Sequence, residues 1–104
     1  MSKKSDFNIE KIDDLIHSRL RLGIMAYLAN AESATFSELK AVLNAAAGNL
    51  SIQIRKLEDA SYIKVDKKFV GRKPQTTTRL TTKGRKAFSQ YLAALTDIVG
   101  NTLN

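Results

Sequence analysis

The stretch GNLSIQIRKLEDASYIKV, residues 48–65, changes its apolar period part-way along. Leu50, Ile54 and Leu57 recur at spacings of four and three, which puts them on one face of a helix. After Ser61 the spacing falls to two. In YIKVDKKFV, Ile63, Val65 and Phe69 alternate with Lys64, Asp66 and Lys68, as in a strand with one buried face. A helix over about 46–60 therefore runs almost directly into a strand.

Upstream, two further helical segments are expected. Leu20, Ile24 and Leu28 form an i, i+4, i+8 stripe in RLRLGIMAYLAN, with Ser18 as a candidate N-cap. NAESA (30–34) is a polar break, and residues 37–43 form a short helix with Phe36, Leu39 and Leu43 facing inward. Short helices joined by tight turns make a helix-turn-helix over 18–60. Before it, Phe7, Ile9, Ile12, Leu15 and Ile16 sit at roughly helical spacing, predicting an N-terminal helical segment within 1–17.

Downstream, GRKPQ (71–75) has the glycine and proline of a turn, and TTTRLT (76–81) reads as a β-branched return strand with Leu80 pointing inward. A hairpin over 61–81 results, its tip carrying Arg72 and Lys73. Thr81 or Thr82 caps a last helix over 82–104, with Gly84 in its first turn. Phe88, Leu92, Leu95 and Val99 are spaced four, three and four, and Tyr91 and Ile98 broaden the stripe.

Charge is unevenly spread. Residues 1–50 hold six basic and six acidic side chains, whereas residues 51–104 hold eleven basic and four acidic, so the net +7 lies in one half. Between Lys67 and Phe88 there are eight basic residues and no acidic one. Such asymmetry points to a polyanion, nucleic acid first and anionic lipid second, the bland counterpart being a basic surface kept for solubility. A chain of 104 residues with 43% hydrophobic content is expected to form one domain with its own core. The absence of cysteine excludes disulfides and Cys-ligated metal. No apolar run approaches about 18 residues, so no membrane span is expected, and a soluble cytoplasmic protein is.

Taken in order, helix, helix-turn-helix, hairpin, helix resembles a winged-helix transcription regulator of the MarR/ArsR-like kind. GNLSIQIRKLEDASYIKV resembles that family's recognition helix running into its first wing strand, and FVGRKPQTTTRLTTKGRKAFSQYL resembles the wing and the start of the last helix. The resemblance covers about residues 13–95. It implies an α+β, mainly α fold with a two- to three-stranded antiparallel β-wing and N- and C-terminal dimerisation helices. It also implies a small, stand-alone, dimeric DNA-binding regulator. One departure stands out: the family usually has Thr or Asp where this chain has Ala46 and Ala47. A lost cap costs about 1 kcal/mol, so the helix is either re-capped by Asn44 or weaker at its start.

With Leu50, Ile54 and Leu57 inward, the opposite helix face carries Gly48, Asn49, Ile52, Arg55, Lys56 and Asp59, with Ser51 and Gln53 at its rims. Small residues near the N-terminus allow close approach to a major groove. Asn and Gln suit adenine, Arg suits guanine, and an apolar Ile52 suits a thymine methyl. Asn49, Ile52 and Gln53 are candidates for base or sugar contact, and Arg55 and Lys56 for phosphates. The competing reading is a solvated face on which Arg55 and Lys56 pair with Glu58 or Asp59. On the hairpin, Arg72, Lys73, Gln75 and Thr76 form a second candidate grip, able to follow the backbone or enter a minor groove; a solvated charged turn is its plain counterpart.

Catalysis has little support. His17 is the only histidine, without a ligand cluster near it, Asp13 and Asp14 look like helix N-terminal acids, and no phosphate-binding glycine loop occurs. No cofactor or metal is implied, and the sequence names no small-molecule effector. The expected partners are double-stranded DNA and a second copy of the chain. Leu92, Leu95, Ile98, Val99 and Leu103 should run past the domain as an apolar stripe suited to packing across a two-fold axis. The expected function is therefore sequence-specific, double-stranded DNA binding as a homodimeric transcription regulator on an inverted repeat. Its rivals are a protein–protein assembly module and a non-specific DNA-coating protein.

Overall fold

In the computed structural model, which describes residues 7–100, the elements are α1 (Arg19–Ala29), β1 (Ala34–Thr35), α2 (Phe36–Val42), α3 (Ala47–Asp59), β2 (Ile63–Val70), β3 (Lys73–Leu80) and α4 (Thr82–Val99). The strands form one antiparallel sheet in the order β1–β3–β2. This is a winged helix. The core lies where α1, α2, α3, α4 and the base of the sheet converge, and Ile24, Met25, Leu28, Leu39, Leu50, Leu57 and Ile63 are buried within it. Each such side chain contributes on the order of 1.5–3 kcal/mol by leaving water.

Local chemistry sets the element ends. Thr35 caps α2 with a reciprocal capping box: its Oγ1 accepts from the Glu38 amide at 3.0 Å, and Glu38 Oε1 accepts from the Thr35 amide at 3.0 Å. At the other end of α2, Asn44 turns left-handed at φ +49°, with the Ala45 and Asn44 amides donating to the Lys40 and Ala41 carbonyls. That closes the tight turn into α3. Ser61 repeats the device after α3 at φ +64°, the Tyr62 and Ser61 amides donating to Leu57 and Glu58. Asn44 thus serves the end of α2, and α3, with Ala46 at its N-cap position, has no side-chain cap.

Three expectations change. The N-terminal segment is not an α-helix: within the described residues it is a 3-10 turn, Ile9–Lys11, capped by Asn8, followed by a turn in which Asp13 Oδ1 accepts from the Leu15 and Ile16 amides. Ile12 and Ile16 still reach the core, but Phe7 and Ile9 are exposed, and Ser18 makes no capping bond. Second, Phe69 is 73% exposed, since β2 leaves the core after Val65 and its residues from Asp66 onward are exposed. Third, α4 does not run clear of the domain. Its buried face is Gly84, Phe88, Tyr91 and Ala94, and Leu95 and Ile98 are half-buried against the core. Only Leu92 and Val99 of the expected stripe are exposed, while Leu103 lies outside the described residues.

The root of α4 is held by a close backbone approach. Thr81 Oγ1 accepts from the Gly84 amide at 2.9 Å and donates to the Ser61 carbonyl at 2.6 Å, while the Thr81 amide donates to the Tyr62 carbonyl at 3.1 Å. A Cβ on Gly84 would stand 1.9 Å from the Tyr62 carbonyl oxygen. Glycine is therefore required here, not merely tolerated. Further along, Tyr91 is buried, stacked with Phe88, and its hydroxyl bonds His17 Nδ1 at 2.8 Å.

Candidate nucleic-acid interface

Burying Leu50, Ile54 and Leu57 turns the opposite side of α3 outward. Gly48, Asn49, Ser51, Ile52, Arg55 and Lys56 are exposed on it, and Gln53 is half-buried at its edge. Ile52 is 55% exposed, a large apolar group that folding does not need to cover. Nothing lies within 4 Å of a Cβ placed on Gly48, so the start of α3 is open to close approach. Arg55 and Lys56 form no ion pair with Glu58 or Asp59. Among the described residues the ion pair within 4.0 Å is Arg79–Asp66, at 3.9 Å and half-exposed on both sides. Arg55 and Lys56 are thus exposed without a direct ion pair, although Glu58 and Asp59 on the same helix balance their charge.

Gln53 and Asn49 are not independent. Gln53 Nε2 donates to Asn49 Oδ1 at 2.9 Å, and Gln53 Oε1 accepts from Arg21 Nη1 at 2.5 Å. Arg21 is in turn held by the Leu15 carbonyl, to which its Nε donates at 2.5 Å. Sequence reasoning missed Arg21, because the contact joins positions far apart on different helices.

The wing is a regular hairpin. Its register pairs Val70 with Lys73, leaving Gly71 and Arg72 as a two-residue turn, and Gly71 takes φ +66° at the position where a type II′ turn places glycine. Paired residues share a face. Ile63–Leu80, Val65–Thr78, Lys67–Thr76 and Phe69–Pro74 form the face that begins in the core, while Lys64–Arg79, Asp66–Thr77 and Lys68–Gln75 form the other. An open cleft follows, bounded by Ser51, Arg55 and Glu58 of α3 and by Val65, Lys67 and Thr76 of the wing. Thr76 is brought beside the α3 residues, and Lys67 joins them unforeseen. Gln75 lies on the opposite face of the hairpin from Thr76. Arg72 and Lys73 sit exposed at the far tip.

The β1 strand ties this frame together. Ala34 and Thr35 pair with Thr78 and Thr77, and the buried Thr78 hydroxyl donates to the Ala34 carbonyl at 3.2 Å. Behind the sheet, the Tyr62 hydroxyl donates to Asp13 Oδ2 at 2.5 Å. Burial, then that bond, then the carboxylate charge, push the Tyr62 phenol up to about 12. Among the described residues no group of three or more His, Asp or Glu side chains could hold a metal, and no helix is long and apolar enough to cross a membrane.

Comparison with known proteins agrees with this geometry. A family model described as a winged helix DNA-binding domain matches residues 20–99. An uncharacterized protein of Methanocaldococcus jannaschii, MJ0432, is 31% identical over 87 residues, spanning 84% of this chain and 95% of that protein. A transcriptional regulator homologue from Pyrococcus horikoshii OT3 superposes with a TM-score of 0.75 at 28% identity, over 90% of this chain and 98% of that one. The fold is also shared, at 22% identity and a TM-score of 0.62, with a MarR mutant from E. coli complexed with operator DNA, over 90% of this chain and 69% of that one. An exposed helix, a basic hairpin and a match spanning the helix-turn-helix and wing converge: the chain belongs to the winged helix DNA-binding domain family.

Proposed function

We propose that the chain is a sequence-specific transcription regulator that binds double-stranded DNA as a homodimer on an inverted repeat. The observation that carries this reading is the outward face of α3, where an exposed Ile52 stands among polar side chains and unpaired cations. Coating DNA needs charge alone, whereas an exposed apolar side chain beside Asn49 and Gln53 suits base edges. In this reading α3 enters the major groove, Asn49 and Ile52 meet base edges while Gln53 serves them through its bond to Asn49, Gly48 and Ser51 permit close approach, and Arg55 and Lys56 hold phosphates. Arg72, Lys73, Gln75 and Thr76 of the wing grip the adjoining backbone. That a MarR mutant sharing this fold was solved in complex with operator DNA supports double-stranded DNA as the partner.

For the dimer, Leu92 and Val99 supply exposed apolar surface on α4, the 3-10 turn that packs against α4 adds Ile9, and Phe7 just before it is also exposed. Leu95 and Ile98 border that surface. Two-fold pairing there sets the recognition helices about 34 Å apart, one turn of DNA. Selection of binding sites from a random duplex pool tests the proposal. An enriched inverted repeat is expected. Uniform retention would identify a non-specific coating protein, and no retention an assembly module. Asn49→Ala should lower affinity for the enriched site by about 1–3 kcal/mol while leaving random duplex nearly unaffected.

A further inference from the structure

The side chains of Leu15's neighbour on α1, Arg21, and of Gln53 and Asn49 on α3 form a directed chain of hydrogen bonds. A guanidinium carries donors only, so Gln53 must turn its oxygen toward Arg21 and its NH2 group away. That NH2 group donates, so Asn49 must meet it with Oδ1, leaving the Asn49 NH2 group on the exposed side of α3. The Leu15 carbonyl, a backbone group, fixes the guanidinium at the start of the chain. Each link determines the sense of the next.

We infer that Arg21 is a positioning residue for base recognition: through Gln53 it sets the amide sense of Asn49 without itself meeting DNA. The inference rests on α3 being the base-reading helix. Gln53 then acts through Asn49, since its oxygen and one N–H are already engaged. Asn49 offers two donor hydrogens and the second lone pair of Oδ1. That set fits an adenine edge, N7 accepting and N6 donating.

Selection from a random duplex pool with the wild-type chain, Arg21→Met and Gln53→Glu tests it. Methionine keeps an apolar stem and removes every donor. Glutamate still pairs with Arg21 but has no hydrogen for Asn49, so the Asn49 amide turns over and presents its oxygen. The wild-type chain should select adenine at one position of each half-site. Arg21→Met should lose that preference by about tenfold, with random-duplex affinity within about threefold of wild type. Gln53→Glu should exchange adenine for cytosine, whose N4 donates. Weakened binding with an unchanged motif in both variants would overturn the relay, as would a change confined to Gln53→Glu, which would make Gln53 a direct reader. If Arg21→Met loses its circular dichroism spectrum, Asn49→Ala added to Gln53→Glu decides: loss of the cytosine preference supports the relay, and its persistence makes position 53 a direct reader and overturns it. A wild-type chain that enriches no motif would instead overturn the function proposed above, and this inference with it.

Discussion

Replacing Gly84 with alanine sets two effects against each other. Alanine is the better helix former by about 1 kcal/mol, and on that ground alone the variant should be more stable. The new methyl would lie 1.9 Å from the Tyr62 carbonyl oxygen, 2.7 Å from its carbon and 3.0 Å from the Tyr62 Cα. All three are backbone atoms, so no rotamer can move aside. Relief requires α4 and the start of β2 to separate by more than an ångström. Overpacking of this kind costs about 1–3 kcal/mol. Separation also strains the Thr81 bonds to the Ser61 and Tyr62 carbonyls, each with a net worth of about 1 kcal/mol. The steric side wins, by about 2–4 kcal/mol net. For a domain of this size that lowers Tm by about 10–30 °C. Thermal melts followed by circular dichroism measure it, with Gly48→Ala as the control. Nothing lies near a Cβ there, so the control should match wild type or gain up to about 1 kcal/mol. A Gly84→Ala melt equal to or above wild type would refute the reasoning.

Three further outcomes are expected. Tyr62, pushed up to about 12 from 10.0, holds its proton more tightly folded than unfolded, so its contribution is intact below pH 10 and is lost as pH rises through 12; urea titrations from pH 8 to about 12 should show Tyr62→Phe losing less stability over that window than wild type. Replacing Arg72 and Lys73 together with alanine should weaken binding on every duplex alike and shrink the slope of log K against log salt by about 1–2 per subunit; an unchanged slope removes the phosphate role of the wing tip. Leu92→Asp, at a position 45% exposed, should keep the folded circular dichroism spectrum yet yield a monomer whose melt no longer depends on protein concentration and which binds DNA much more weakly; sedimentation of wild type as a monomer with tight binding intact would argue against the dimer.

The helix-turn-helix and wing were legible because each has one face buried by the same domain, so burial imposes its period on the residues. Leu50, Ile54 and Leu57, then Ile63 and Val65, report that directly. Where burial stops, the pattern misleads: Phe69 keeps the alternation of β2 but is exposed. At the N-terminus Ile12 and Ile16 keep helical spacing, yet the Asp13 side chain accepts amide bonds that a helix would direct to the backbone. On α4 the apolar residues run nearly around the helix, and which arc is covered depends on what packs there, so Tyr91 and Ala94, not Leu92 and Val99, face inward. The Arg21–Gln53–Asn49 chain was invisible for a different reason. It depends on the angle at which α1 crosses α3, and no local pattern encodes that.

Thr35 belongs to two structures at once, pairing with Thr77 of the wing and capping α2. The wing and the helix-turn-helix are therefore linked by something shorter and stiffer than a loop. In the binding mode proposed above, two weak holds on a polyanion joined this way would behave as a bivalent ligand with a rigid spacer: with α3 seated, the wing tip would already be at high effective concentration beside the next stretch of backbone. The same rigidity works against a poorly matched site, because a helix seated out of register carries the wing out of register too, and both holds are forfeited together.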